Sequence, residues 1–403
     1  MRSLLLAAMA EGVSMIESPL FSPDTEAMIR VIKALGATVE HDSTSCTVLG
    51  MGGCIDRLKD VEIDIGNSGL ALRFGTALFS LYREPIVITG DASIQNLRPI
   101  GALVSALQQL GGSFSWVKNK GFAPLRIQGP ISSGRCTVDG TDSQPVSALL
   151  LSLPFVEGKS VIQVENMGER PWVEMTLSSL RSVGIHVESL DDDQFTLFGP
   201  QTALARCRTI PKDASAMAFP LVAALMTEAH IEIQEVPLDD VQRDIVILDY
   251  IKQMGGAIEY DTSCLKISGP QKLHGIDIDI NEAVDALPCL AVLATKAKGR
   301  TRLFNGSICR CKESDRISVM AEALRLMGAS ITEYPDGLTI YESPLQGASL
   351  SCHADHRIAM ALSVAGLSAT GSTLIHGVEC VSKSFPNFFP MLKQLGAKVE
   401  VCL

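Results

Sequence analysis

Apolar residues along this 403-residue chain fall into two alternating rhythms. Stretches with apolar positions three and four apart, the spacing of one helix face, give way to short β-branched runs of alternating type, the spacing of a half-buried strand. Two phrases built from these rhythms repeat. In the first, an apolar helix end is followed by Gly, a small residue and a strand. It occurs at Ala34-Leu35-Gly36-Ala37, Gln109-Leu110-Gly111-Gly112, Ser182-Val183-Gly184-Ile185, Gln253-Met254-Gly255-Gly256, Leu326-Met327-Gly328-Ala329 and Gln394-Leu395-Gly396-Ala397. Each glycine suits the position just past a helix end, where positive φ carries no Cβ strain. Successive glycines are 75, 73, 71, 73 and 68 residues apart. In the second phrase, an alanine-rich helix leads through a turn to a β-branched strand: Leu5 to Ile16, Thr76 to Ile88, Leu149 to Val164, Leu221 to Ile233, Ala291 to Leu303 and Leu362 to Ile375. Six units of about 70 residues, each with two helices and several strands, therefore fill the chain.

Such units are longer than solenoid repeats, so the pattern predicts an α/β protein of two similar halves with three units each. The halves are expected at residues 1–208 and 209–403, divided near Arg208-Thr209-Ile210-Pro211, where a proline interrupts the pattern. A cleft between two such lobes is where ligands prefer to bind. The first ten residues, Met1 to Ala10, mimic a short secretory signal, but the repeat assigns them to the first helix.

Composition narrows the function classes. A net charge of -11 argues against a nucleic-acid or anionic-membrane surface, so basic groups must act locally. Eleven cysteines with no C-x-x-C pair do not form a secreted disulfide framework, and reduced thiols in the cytoplasm are expected. No uninterrupted apolar run of about 18 residues is present to span a membrane.

Charge does gather at helix starts. Lys312-Glu313-Ser314-Asp315-Arg316 precedes a run whose Ile317, Met320, Leu324 and Met327 have helical spacing, with Ser314 as the expected N-cap. Lys312 and Arg316, at i,i+4 beside unpaired N–H groups, suit an anion or an exposed salt-bridged first turn. Gly66-Asn67-Ser68-Gly69 before Leu70-Ala71-Leu72-Arg73 reads as an anion loop or a capped turn. Arg98 precedes Pro99 at another helix start, and Asp142-Ser143-Gln144-Pro145, Asp355-His356-Arg357 and Ser382-Lys383-Ser384-Phe385-Pro386 open three more. Four arginines and two lysines in such places point to one composite anionic pocket. Other motifs fail. Gly158-Lys159-Ser160 lacks the upstream glycine of a P-loop, where Leu153 stands, and Leu49 to Gly53 lacks G-x-G-x-x-G spacing. His353 and His356 have no third ligand, so no metal is expected.

Taken in order, Gly66-Asn67-Ser68-Gly69 with Arg73, Arg98-Pro99-Ile100-Gly101, Asp213-Ala214-Ser215-Ala216, Lys312 to Arg316, Asp355-His356-Arg357 and Lys383-Ser384-Phe385-Pro386 resemble the 5-enolpyruvylshikimate-3-phosphate synthase family over essentially the full length. The resemblance implies two lobes, each of three βαβαββ repeats in an inside-out α/β barrel, with the active site in the interlobe cleft. It implies transfer of the enolpyruvyl group of phosphoenolpyruvate to the 5-hydroxyl of shikimate 3-phosphate in aromatic amino acid biosynthesis, through a tetrahedral intermediate, without cofactor or metal, by a cytoplasmic monomer. Arg98, Arg316, Arg357 and Lys383, with Gly69 and Gln144, would hold phosphoenolpyruvate. Arg2, Ser143, Gln144, Asp285 and Lys312 would face shikimate 3-phosphate. Asp285 matches the acceptor of the 5-hydroxyl proton, although an aspartate at a helix start also suits an N-cap. Glu313 beside Lys312 would move protons at the methylene carbon. Arg98 and Arg357 are expected to be exposed to the cleft.

Several positions depart from that family's pattern: Asp142 and Glu169 stand where serines are common, Leu70 replaces a threonine and Ile308 a polar residue. These put shikimate 3-phosphate affinity in question, with Arg170 and Trp172 as alternative contacts. The UDP-N-acetylglucosamine enolpyruvyl transferases share the fold but use a loop cysteine, absent around Asn96-Leu97-Arg98 and Trp116-Val117-Lys118. A non-catalytic binding protein of the same fold is the rival from another class. Family members carry a Pro-x-Lys-Ser segment before the arginine matched by Arg2, and an earlier strand of the second lobe. Met1 directly precedes Arg2 here, so the reading expects an incomplete, weakly active chain arising from a misplaced start codon, or else a truncated pseudoenzyme.

Overall fold

All six glycines expected to end helices have φ between +82° and +109° in the computed structural model, which describes residues 1–53, 61–191, 193–236, 241–260 and 264–402. A residue with a Cβ would lose roughly 1 to 2 kcal/mol in that left-handed conformation, so these glycines fix where each helix stops and the following chain turns.

The chain divides into two units, Met1–Pro211 and Lys212–Leu403. In the first, three four-stranded sheets share one plan. Val61–Asp64, Ile86–Thr89, Leu125–Gln128 and Ser113–Trp116 lie side by side in that order, the first pair parallel and the other neighbours antiparallel. Arg135–Asp139, Gly158–Glu165, Gln194–Gly199 and Glu188–Asp191 repeat the arrangement. So do Cys207–Thr209, Val13–Glu17, Ser45–Leu49 and Thr38–His41, in which the end of the unit returns to complete its first sheet. A parallel pair requires a crossover, here a helix such as Gly69–Phe79, which produces the βαβαββ order. In the second unit Asp277–Asp279, Arg300–Phe304, Gly337–Tyr341 and Ile331–Tyr334 follow the same plan. Among the described residues it is accompanied by the three-stranded sheet His230–Gln234, Cys264–Ser268 and Ile258–Tyr260, and by the parallel pair Ser349–Ser351 and Leu374–His376.

The crossover helices are apolar on all sides and therefore belong inside. Leu287–Ala294 is buried at every position, and Gly69–Phe79 at every position but Leu70. In the second unit Ala214–Met226, Leu287–Ala294 and His356–Ser368 pack on one another. The signal-like start is a helix of this kind, Arg2–Met9, with Leu4 through Met9 buried. Among the described residues no helix is long and apolar enough to cross a membrane. With helix bodies given over to packing, polar chemistry collects at the connections that leave a strand and enter a helix.

Candidate active site

In the second unit, five of these connections bring one charged group together. Asp285 lies in the 3-10 segment Ile280–Ala286, ahead of the helix Leu287–Ala294. It is not that helix's N-cap, a position held by Ala286. Its carboxylate instead meets two arginines: Oδ1 accepts from Arg316 Nη1 at 2.7 Å, and Oδ2 lies 3.0 Å from Arg357 Nη2. Arg316 is the hub, with its side chain only 1% exposed. Its Nε donates to Asp355 Oδ2 at 2.8 Å and its Nη2 to Glu313 Oε2 at 2.9 Å. Lys383 Nζ donates to the other Glu313 oxygen at 2.8 Å, and Arg357 Nη2 also donates to Ser215 Oγ at 3.0 Å.

Local folding here departs from the sequence expectation in three ways. Ser314 does not cap the helix Arg316–Leu326; Asp315 does, accepting from Ser318 N at 3.0 Å. Ser314 Oγ turns to Asp355 Oδ2 at 3.1 Å instead. A carboxylate adds charge attraction to the positive helix end that a hydroxyl lacks. Asp355 in turn caps His356–Ser368 by accepting from Arg357 N at 3.0 Å, so one buried carboxylate fixes both a helix start and the Arg316 guanidinium. Lys383 closes the 3-10 turn Val378–Lys383 rather than opening the last helix, Phe388–Gln394. Finally, Arg98 and Arg357 are not exposed: they retain 5% and 9% of their accessible surface.

Burial pushes the Asp285 carboxyl up, but the charges of Arg357, Arg316 and Lys312 outweigh it and hold the group below the ordinary aspartate range. Asp355 is lowered in the same way, with burial overcome chiefly by Arg316. Arg316 is raised well above its usual value, since its three carboxylates more than offset desolvation. Asp244, in the 3-10 segment Arg243–Val246, behaves oppositely. Burial and the Asp285 charge raise it to about 7. Its Oδ1 is buried without a hydrogen-bond partner among the described residues. No motif singled it out, because an aspartate between Arg243 and Ile245 carries no spacing signal. Burial lowers His356 to about 4, leaving it neutral. Among the described residues no group of three or more His, Cys, Asp or Glu side chains is placed to hold a metal ion.

The first unit assembles a second polar group. Ser68 caps Gly69–Phe79 through Ala71 N, and the Arg98 guanidinium fills the space where a side chain at Gly69 would stand. Arg73 Nη1 donates to Gly69 O at 3.3 Å and Nη2 to Pro99 O at 2.7 Å, while Asp142 Oδ2 lies 3.7 Å from Nη2. Asp142 caps the helix Ser143–Ser152 by accepting from Gln144 N at 2.9 Å. Both donors of Ser143, N and Oγ, go to Glu169 Oε2, at 3.1 and 3.0 Å. Glu169 is buried and adopts φ +46°. Gln144 Oε1 is buried with no hydrogen-bond partner among the described residues. Arg2 is tied to the helix Arg170–Ser182: Nε donates to Thr176 Oγ1 at 2.7 Å and Nη2 to Trp172 O at 3.1 Å. Burial lowers its pKa to about 10. Neither Arg2 nor Ser143 could be placed this way from the sequence, since both bonds run to partners far along the chain.

The two groups share a chemistry, cations and helix N-termini set for polyanionic ligands beside carboxylates able to move protons. A family model described as EPSP synthase (3-phosphoshikimate 1-carboxyvinyltransferase) matches residues 1–392. The 3-phosphoshikimate 1-carboxyvinyltransferase of Ruminiclostridium cellulolyticum is 39% identical over 400 residues, spanning 99% of this chain and 94% of the relative. That of Chlamydia caviae is 38% identical over 403 residues, spanning 99% and 90%. The solved structure of an EPSP synthase from Acinetobacter baumannii superimposes with a TM-score of 0.81 at 28% identity, across 100% of this chain and 94% of that one.

Proposed function

The chain belongs to the EPSP synthase family, and we propose that it performs the reaction through the residues assembled around Asp285 and Gly69. It is a transferase that moves the enolpyruvyl group of phosphoenolpyruvate to the 5-hydroxyl of shikimate 3-phosphate and releases phosphate, in the shikimate pathway. The UDP-N-acetylglucosamine alternative is not favoured.

The observation that supports the residue roles is the pairing of Arg316, Arg357 and Lys383 with Asp285 and Glu313. The substrates carry two phosphates and two carboxylates, which repel one another unless cations stand between them. Arg316, Arg357 and Lys383, with Arg98, the Gly69 N–H and Gln144, hold phosphoenolpyruvate. Arg2, Ser143, Gln144, Asp285 and Lys312 face shikimate 3-phosphate. When anionic phosphoenolpyruvate engages Arg357 and Lys383, it draws these cations away from Asp285 and Glu313, and the positive field that holds Asp285 low weakens. Asp285 then accepts the 5-hydroxyl proton as that oxygen bonds to C2 of phosphoenolpyruvate. Glu313 takes up a proton from water once phosphoenolpyruvate is bound, delivers it to C3 and takes it back as phosphate leaves the tetrahedral adduct, with Asp285 returning its proton to the phosphate. Each carboxyl ends the cycle as it began.

Shikimate 3-phosphate must compete with Glu169 for the donors of Ser143, so its affinity is set partly by that contact. The substrates are small molecules, and the enzyme acts as a cytoplasmic monomer. A coupled assay of phosphate release tests the reading: release should require both substrates, and release only with UDP-N-acetylglucosamine would overturn it.

A further inference from the structure

The thiols of Cys352 and Cys380 lie 3.8 Å apart, Sγ to Sγ. Their positions follow from the parallel pair Ser349–Ser351 and Leu374–His376. Cys352 directly follows the first strand, and Cys380 sits in the 3-10 turn Val378–Lys383 that follows the second. Cys352 is buried and its Sγ also lies 3.1 Å from the carbonyl oxygens of His376 and Gly377, whereas Cys380 is partly exposed. These two connections lead to Arg357, five residues after Cys352, and to Lys383, three residues after Cys380.

We propose that Cys352 and Cys380 form a reversible disulfide, a redox modification site that joins the two phosphoenolpyruvate-binding connections of the second unit and weakens substrate binding when oxidised. The consequence for binding rests on the roles assigned above to Arg357 and Lys383. The formation of the bond does not.

The chemistry needs only an oxidant of the peroxide class. Hydrogen peroxide takes an electron pair from one thiolate, giving a sulfenic acid and hydroxide. The second thiol attacks that sulfur, the S–S bond forms, and the sulfenic oxygen leaves as water. Two thiols and one peroxide thus become one disulfide and two waters, and dithiothreitol reverses the sulfur chemistry by exchange. Hydrogen bonding from the Cys380 thiol outweighs burial and, with the Ala354 N–H, holds Cys352 below the usual thiol value, and the partly exposed Cys380 beside it opens the pair to the oxidant. The same contact, followed by burial, raises Cys380.

Closing the sulfurs from 3.8 Å to the roughly 2.0 Å of a disulfide draws the two connections together. Placement errors of about an ångström at a binding group are enough to cost tens-fold in rate. Because Asp355 both caps the helix that starts at His356 and grips Arg316, the displacement reaches the hub of the charged group.

The test uses the full chain. Protein treated with a small excess of hydrogen peroxide, alkylated and digested should yield a linked peptide pair containing Cys352 and Cys380, and dithiothreitol should abolish it. This measurement needs no substrate. Oxidised protein should show a KM for phosphoenolpyruvate raised by about tenfold, restored by dithiothreitol, and Cys380→Ser should show neither the link nor the change under the same treatment. Absence of the linked pair overturns the site. A linked pair with unchanged KM, or the same loss in Cys380→Ser, overturns its effect on binding. Reduced protein that releases no phosphate from both substrates refutes the function instead, and leaves the peptide result standing.

Discussion

Gly69 and Arg98 are packed so that a methyl group at Gly69 would stand 2.9 Å from the Arg98 guanidinium carbon and closer still to Nη2. Arg98 is 5% exposed and directly precedes Pro99, whose ring restricts its backbone, so it has little room to retreat. Gly69→Ala should therefore displace the guanidinium while leaving the helix cap at Ser68 intact. The expected result is a fall of about tenfold or more in kcat/KM, carried by the KM for phosphoenolpyruvate. An unchanged KM would remove Arg98 from the site.

Arg316 and Arg357 touch the same carboxylate but should fail differently. Removing Arg316 takes the guanidinium from the fully buried Asp355 and one of the cations from each of Glu313 and Asp285, so Arg316→Ala should lower unfolding free energy by roughly 3 to 5 kcal/mol in denaturant titrations. Arg357→Ala leaves Asp285 paired with Arg316. It should stay folded, with a raised KM for phosphoenolpyruvate and a lowered kcat. Equal denaturation midpoints for the two variants would contradict this division.

Asp244 gives stability a sign with pH. Burial first, then Asp285, raises it from 3.8 to about 7 in the folded chain. Between those values the folded state keeps a proton that the unfolded state has released, so this group's contribution to stability falls as pH rises through the window. Asp244→Asn removes the dependence. The variant should gain on the parent between about pH 4 and pH 7, by up to about 1.4 kcal/mol per unit. A constant difference in melting temperature across that range would refute the assignment.

Glu169 holds both donors of Ser143, and under the proposed roles it sets a carboxyl group where shikimate 3-phosphate is to bind. Glu169→Gln keeps an acceptor and removes the charge. Its KM for shikimate 3-phosphate should fall by about threefold to tenfold, with the KM for phosphoenolpyruvate unmoved. A rise in the former would mean that Glu169 positions Ser143 productively.

The sequence carried the repeat because a glycine with positive φ leaves a mark that needs no partner: Gly36 and Gly328 declare a helix end by themselves. Charged segments at helix starts were legible for the same reason. What escaped was every choice between partners. Asp315 rather than Ser314 caps its helix because Ser314 has Asp355, 41 residues away, as an alternative. Arg2 reaches Thr176 across 174 residues, and Ser143 reaches Glu169 across 26. Asp244 acquires its raised pKa from burial and from Asp285, neither of which its neighbours in the chain announce.

The glycine turn at the far end of the helix Arg316–Leu326 has a practical use. Arg316 opens this 11-residue helix, and at 1.5 Å per residue its other end lies about 16 Å away. Leu326 there is 59% exposed. A fluorophore, surface anchor or affinity handle attached at Leu326 would be held on a rigid rod whose opposite tip is the guanidinium hub, reporting on occupancy without intruding on it.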